Sequence, residues 1–361
     1  MNAVRRHLEK QIARQGVIPF SQFMETALYC PDCGYYERTS RVVGRRGDFY
    51  TAVSAGPLFG ELLAHRFGDW LEDCATRNAG GGAQLVEAGA HDGQLALDLL
   101  SALGHQRPAL AARVEYLIVE PSPRRRQWQR EKLQAFAGRV RWVSGWEELP
   151  ARSVRGVIFA NELLDALPVH RLVWDARAKA WFELGVALRG DGLAWQRMAL
   201  SVPAPELPAE LLAVLPDGFT TEAGPAAAAW WRAAAGALGD GKLVTFDYGL
   251  DAPDFFRPER AEGTVRGYRD HRPVADVLAR PGEQDLTAHV NFSELIRVGE
   301  EAGLRTEATV SQASFLTDIV HRFWAASNMA RDPIAGRARQ FQTLTHPEHL
   351  GRSFRVLVQA R

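Results

Sequence analysis

The chain has 361 residues, 46% of them hydrophobic, and its 43 Lys+Arg are balanced by 43 Asp+Glu. That length fits one large domain with additions, or two domains, and the apolar content is enough for a large core. Zero net charge argues against a general nucleic-acid or membrane-surface binder, and no stretch approaches the roughly 18 apolar residues of a membrane-crossing helix.

Val4, Leu8 and Ile12 recur at helical spacing, which predicts a short amphipathic helix over Val4–Gln15. The basic start, Arg5-Arg6-His7, has no apolar run after it, so no secretory signal is expected. Pro19-Phe20-Ser21 opens a second helix, with Ser21 as the expected N-cap, and Cys30-Pro31 stops it. Cys30-Pro31-Asp32-Cys33 is a lone C-x-x-C. A zinc site would need two more ligands, so these residues are read as structural thiols and no metal is expected. With Cys74 as the third cysteine, a reducing cytoplasm is the expected location. A basic loop follows over 41–49, and a third helix is predicted from Pro57 to Asp73. Residues 1–80 are therefore expected to form an N-terminal helical cap, linked through Gly80-Gly81-Gly82 to a core over 81–361.

From 83 onward, strand and helix patterns alternate, which predicts a parallel α/β sheet. The first strand, Gln84-Leu85-Val86-Glu87, runs into the small-residue turn Ala88-Gly89-Ala90-His91-Asp92-Gly93 and then a leucine-rich helix. The second strand ends on Glu120, where a carboxylate can accept from both hydroxyls of a ribose. Without ligand, such a strand-end acid is expected to be solvated. The turn's spacing is G-x-x-x-G rather than a dinucleotide fingerprint, and Asp92 sits where a pyrophosphate would lie. The pattern therefore suits a phosphate-free nucleoside such as S-adenosylmethionine (SAM). Further strands are expected at 140–143, 157–160, 242–246 and 354–359. Their carboxyl ends carry Asn161, Glu162, Asp247 and Tyr248. Ligands in such sheets bind beyond those ends. Two insertions are expected. One at about 190–240 is an exposed excursion with helical parts. The other, at about 250–290, is a long loop of little periodicity that could close over the site.

At this point the residues match a known family. Met24–Tyr29 with Gly34-Tyr35-Tyr36, Gly47–Thr51, Leu58–Ala64, Val119–Pro123, Ala160–Val169, Asp247-Tyr248-Gly249 and Gly282–Phe292 follow one another in its order. Over nearly its whole length the chain resembles the MidA-type SAM-dependent methyltransferases, related to the mitochondrial complex I assembly factor that acts as a protein arginine methyltransferase. The resemblance implies a class I methyltransferase fold: a Rossmann-like seven-stranded sheet with a reversed last strand, plus helical additions. It implies SAM as cofactor, held by Asp48, Thr51, Glu87, Gly89, Ala90, Gly93, Glu120, Pro121, Ser122 and Asn161. Two positions depart from the family pattern: His91 replaces a glycine, and Val53-Ser54 replaces Pro-Glu.

Methyl transfer is an in-line displacement at a sulfonium carbon, so positioning contributes much of the rate. Carboxylates can hold a guanidinium by its planar fork. Asn161, Glu162, Asp165, Asp247 and Tyr248 are the candidate catalytic residues. Glu162 and Asp165 would share a face if their segment were helical, and His271 or His289 could serve as a base. The expected acceptor is a protein or peptide, arginine by resemblance, with no nucleic acid or membrane partner and a homodimer as one option. Two other readings are an O- or N-methyltransferase on a different acceptor, and a catalytically silent scaffold of the same fold.

Overall fold

The sheet that positions the site follows a path of seven strands, to which Val290–Asn291 adds as an eighth beside Gly249-Leu250. β1 is Ala83–Ala88, β2 Val114–Val119, β3 Val140–Val143, β4 Val154–Asn161, β5 Leu238–Leu250, β6 Arg305–Ser311 and β7 Phe354–Ala360. Their order is β6-β7-β5-β4-β1-β2-β3. β5, β4, β1, β2 and β3 run parallel, and β7 is antiparallel to both β5 and β6. This matches the expected seven-stranded class I methyltransferase sheet with one reversed strand. The structure is a computed structural model that describes residues 2–31, 33–38, 51–78, 82–270, 272–326, 336–347, 350–351 and 354–361.

Parallel strands covered on both faces read as continuous apolar runs. β4 shows this: Val157, Ile158, Phe159 and Ala160 are all fully buried. The register then fixes where the chain leaves the sheet. Ala88 pairs with Val119 on one side and with Ala160 on the other, and Asn161 pairs with Phe246. Gly89, Glu120, Asn161 and Asp247 thus emerge along one edge.

Contacts divide the chain into two compact units, each made of three segments. Residues 50–164, 230–248 and 295–361 form the sheet unit. The helix Leu58–Arg77, α3 in chain order, belongs to it, because Phe67 packs on Phe159 at 5.1 Å and Phe59 on Phe246 at 5.6 Å. The division therefore does not fall at residue 80. That helix also runs four residues past the expected end at Asp73.

The second unit comprises 1–49, 165–229 and 249–294. Its first helix, α1, spans Ala3–Gln15, with the Asn2 side chain accepting from Arg5 N–H at 2.7 Å. α2 spans Phe20–Tyr29. Its N-cap is Pro19, which gives no side-chain bond, rather than the expected Ser21. Val4, Leu8, Ile12, Phe20 and Phe23 join one buried cluster.

Both insertions are more regular than the sequence predicted. Strands at Val17–Pro19, Ala180–Arg189, His170–Asp175 and Thr220–Ala223 form an antiparallel sheet, with Gly192–Met198 added to Ala180–Arg189. Residues 250–290 are not an unstructured loop. Arg266–Arg269 pairs on one side with Arg272–Val274 and on the other with Asp285–Thr287. Val265, Leu278 and Leu286 of this segment enter the unit's apolar core.

Candidate active site

The turn after β1 is left-handed at three of its five residues: Gly89 (φ 74°), His91 (φ 46°) and Gly93 (φ 86°). Glycine reaches this region without steric cost, whereas histidine does not. A Cβ on Gly89 would lie 2.8 Å from the Leu163 side chain, so the chain has no room there for anything larger. Gly93 N–H donates to the Ala90 carbonyl at 2.7 Å, closing the turn. The helix Gln94–Gln106, α4, starts here. Asp92 accepts from Gln94 N–H at 3.1 Å and pairs with Lys132. Burial raises its pKa, but the His91 imidazole 3.8 Å away and the paired Lys132 outweigh that and hold the carboxyl well below the usual range. The N-terminus of α4 is thus already occupied by a protein carboxylate, consistent with a ligand that carries no phosphate there.

Glu120 follows β2 directly, and its N–H donates to the Val143 carbonyl at 2.9 Å. It is not the solvated strand-end acid expected from the sequence, being only 1% exposed. Oε1 accepts from Ser122 N–H at 2.9 Å, Oε2 accepts from Gln129 Nε2 at 3.1 Å, and Arg125 Nε lies 3.6 Å away. Pro121 and Ser122 lead into the helix α5 (Pro123–Lys132), which Ser122 caps by accepting from Arg125 N–H. Gln129, on α5, is fully buried. Its Nε2 donates to the His91 carbonyl at 2.9 Å as well as to Glu120, and its Oε1 accepts from Trp142 Nε1 at 2.9 Å. One amide ties together the turn, the acid and β3.

Glu87, in β1, is 3% exposed and accepts from the Tyr116 hydroxyl at 2.6 Å. Burial pushes its pKa up to about 8, against the lowering effect of the Tyr116 bond, and the charges of Asp92, Asp98 and Glu120 push the same way. Near neutral pH this carboxyl is held largely protonated.

At the end of β4 the backbone of Glu162 is left-handed (φ 52°). Strain of this kind persists where the surroundings over-determine it. Glu162 N–H donates to the Phe246 carbonyl at 2.9 Å, and Oε1 accepts from Ala52 N–H at 3.0 Å and Asn161 Nδ2 at 3.1 Å. Asn161 Oδ1 is buried with no hydrogen-bond partner among the described residues. Next to Ala52, Thr51 and Ser54 exchange hydrogen bonds: Thr51 N–H donates to Ser54 Oγ at 2.9 Å, and Ser54 N–H to Thr51 Oγ1 at 3.1 Å. This is a capping box in which serine takes the part usually played by an acid. The Val53-Ser54 departure therefore still closes the turn that presents Ala52 N–H to Glu162.

Asp247, one of the candidate catalytic residues, is engaged by the backbone. It is fully buried, and backbone groups hold both its oxygens: Leu163 and Leu164 N–H on Oδ2, Tyr248 N–H on Oδ1. It fixes the path of the chain after Glu162. The Tyr248 ring packs on Phe354 at 3.9 Å. Asp165 belongs to the other unit, is 4% exposed, and sits in a 3-10 turn over Leu164–Ala166. The expected helical face shared with Glu162 is therefore absent. In that unit Tyr36 donates to Asp285 Oδ1 at 2.8 Å. The His289 pKa is lowered to about 4, by burial first and by Arg260 and Arg266 second. Asp48 and His271 lie outside the described residues.

The sequence reading missed Gln129, Ala52 and Ser54. Thr51-x-x-Ser54 lacks the acid or amide of the usual capping-box signature, so the turn could not be read from it. Gln129 gives no signal either, since it stands in the polar run Arg124-Arg125-Arg126-Gln127-Trp128-Gln129-Arg130 and only the fold shows which residue points inward.

The residues present fit the expected cofactor. Glu120 stands at the carboxyl end of β2, where an acid holds a ribose diol in folds of this kind. Asn161 Oδ1 is a buried acceptor that calls for a donor.

Residues 62–310 match the family described as "putative S-adenosyl-L-methionine-dependent methyltransferase". Curated relatives include the mitochondrial protein arginine methyltransferase NDUFAF7 of Danio rerio, 26% identical, with 98% of this chain and 85% of that protein covered. NDUFAF7 of Homo sapiens is 28% identical, with 87% and 72% covered. A crystal structure from Burkholderia thailandensis, bound to S-adenosyl-homocysteine, is 33% identical with a TM-score of 0.82, covering 99% of this chain and 92% of that one. A second, native structure from the same organism is 32% identical with a TM-score of 0.78, covering 99% and 91%. The expected cytoplasmic location is corrected by the curated relatives, which are mitochondrial proteins. Cysteine thiols speak for a reducing compartment without saying which one.

Proposed function

We infer that this chain, which belongs to that S-adenosyl-L-methionine-dependent methyltransferase family, methylates the guanidinium of an arginine in a protein or peptide. That it is a SAM-dependent methyltransferase follows from the family match and from its likeness to a structure holding S-adenosyl-homocysteine. The silent-scaffold reading is therefore dropped. The acceptor is the inferred part. It is supported by the NDUFAF7 relatives, which are named protein arginine methyltransferases.

The observation that carries the reading is the carboxylate of Glu162, held at the sheet edge by Ala52 N–H and Asn161 Nδ2 on a left-handed backbone. When bound, SAM supplies an electrophilic methyl group on a sulfonium. Glu120 binds the ribose, and the backbone of Gly89, Ala90 and Gly93, with Thr51, Glu87, Pro121, Ser122 and Asn161, shapes the rest of the cofactor site. Glu162 would accept from the guanidinium, orient one nitrogen and take the proton which that nitrogen releases as its bond to the methyl carbon forms and the C–S bond breaks. Asp247 is a positioning residue that acts through the backbone of Leu163 and Leu164.

The test is a panel of arginine-, lysine- and histidine-containing peptides with SAM, the methylated atom being located by fragmentation mass spectrometry. Methyl groups on guanidinium nitrogen support the reading, and methylation only on other atoms overturns it. Glu162→Gln should keep S-adenosyl-homocysteine affinity within about twofold and lower kcat by roughly 100-fold or more. An unchanged kcat would remove Glu162 from the chemistry.

A further inference from the structure

We propose that His7, Cys30 and Cys33 form a binding site for a thiophilic d10 cation such as Zn2+, a site separate from the methyltransferase chemistry. A ligand atom from each of the three lies within 4.8 Å of the other two. His7 is on α1, while Cys30 and Cys33 stand in the turn that follows α2. The sequence reading set the C-x-x-C aside for want of further ligands. The fold supplies one from 23 residues upstream.

The turn is pre-formed. Cys33 N–H and Gly34 N–H both donate to the Cys30 carbonyl, at 3.2 and 2.7 Å. A Cβ at Gly34 would come within 2.6 Å of Cys30 N and of the Leu28 carbonyl oxygen, so the turn closes this tightly only with glycine. The neighbouring loop is held as well: the Asn2 side chain donates to the Pro281 carbonyl at 2.8 Å, and a Cβ at Gly282 would strike Val4. Two sulfurs are thus brought to 2.7 Å on a fixed backbone, with an exposed imidazole facing them from a helix. That separation is longer than a covalent S–S bond, and shorter than the S···S edge of about 3.8 Å set by tetrahedral Zn–S bonds of about 2.3 Å. A small turn about one side-chain bond makes up the difference. A disulfide would give the imidazole no part, whereas a metal uses all three groups.

Binding balances as follows. The ion gains two Zn–S bonds as both thiols release their protons to solvent, and the neutral His7 imidazole donates a lone pair without losing a proton. Three protein ligands leave one tetrahedral position for water or a small ligand. The ion would tie α1 to the turn leading into Tyr35 and Tyr36, and Tyr36 is itself bonded to Asp285.

The test uses the full chain, reduced, stripped with a chelator and titrated with Zn2+ against a chromophoric competitor, with Co2+ as the spectroscopic stand-in. One equivalent bound, a thiolate-to-cobalt charge-transfer band, and a higher unfolding temperature with Zn2+ are expected. Cys33→Ser should abolish the band. His7→Ala, a change at an exposed helix position, should weaken binding roughly tenfold or more without altering the circular dichroism. No binding by the reduced protein, binding unchanged in His7→Ala, or a pair that only oxidises to a disulfide and takes no metal after re-reduction would each overturn the proposal.

Discussion

Gln129 Nε2 lies 2.9 Å from the carbonyl oxygen of His91, so the helix after β2 holds the turn after β1. The same nitrogen is 3.1 Å from Glu120 Oε2. The two parts of the candidate cofactor site, the left-handed turn and the ribose acid, are therefore set relative to each other by one buried side chain that need not touch the ligand.

Gln129→Leu keeps the volume and removes all three hydrogen bonds. Urea unfolding should show a loss of roughly 1–3 kcal/mol, because the donors and acceptors left behind are buried. Calorimetry should show S-adenosyl-homocysteine binding weakened about tenfold, or ~1.4 kcal/mol, as the turn and Glu120 lose their common reference. A stability loss with unaltered affinity would mean that the amide serves only the fold.

Glu120→Ala should be costly even without ligand. It removes an acceptor of Ser122 N–H and Gln129 Nε2 and the buried counter-charge beside Arg125, from a position that is 1% exposed. Removing one partner of a buried charged cluster costs about 3 kcal/mol. Denaturant unfolding of the ligand-free protein measures this directly, and no change in midpoint would contradict the buried placement.

The core strands and the edge they share could be read from the sequence because parallel buried strands are runs of Val, Ile, Leu and Phe that end on polar residues. β4, from Val154 to Asn161, is the plainest case. β6 was missed because Arg305-Thr306-Glu307-Ala308-Thr309 is largely polar, being an edge strand with one neighbour. The antiparallel sheet around 170–198 escaped for a related reason: its strands mix Trp, Phe, Arg and Gln, and register rather than composition makes them a sheet. Within the site, Glu120 and Glu162 were legible as strand-end acids. That Asp247 accepts from the backbone N–H groups of Leu163, Leu164 and Tyr248 was not, because position at a strand end does not tell which way a short carboxylate turns.

Glu87 should give the protein a pH signature. Its folded pKa, about 8, lies above the ordinary carboxylate value, so the native state holds its proton where the unfolded chain has lost it. Its contribution is greatest in acid and is lost as pH rises towards and through 8, at about 1.4 kcal/mol for each pH unit that separates the folded pKa from the ordinary one. Glu87→Gln should flatten the fall in unfolding free energy as pH rises to 8 and be the more stable protein at pH 9. Parallel pH profiles for the two proteins would contradict it.

His91→Gly should stabilise the ligand-free protein by up to about 1 kcal/mol, since a left-handed backbone costs a residue with a Cβ roughly 1–2 kcal/mol and glycine gives part of that back in unfolded-chain entropy. S-adenosyl-homocysteine should bind at least as tightly, because Gln129 grips the backbone carbonyl of residue 91 and not its ring. A tenfold weaker complex would make the imidazole a ligand contact.

The reversed strand β7 also sets a timetable for synthesis. The five parallel strands are all present once residue 250 has emerged, but β7 must slot between β5 and β6 from residues 354–360. Until then residues 242–248 of β5 lack their outer neighbour and β6 has no neighbour in the sheet. On the ribosome, roughly a hundred residues, those between β5 and β7, are made while that edge stays open, at about 5–20 residues per second. For several seconds the nascent protein is therefore an incomplete sheet with an exposed docking strand, and that interval is when it is most open to a chaperone or to pairing with another chain.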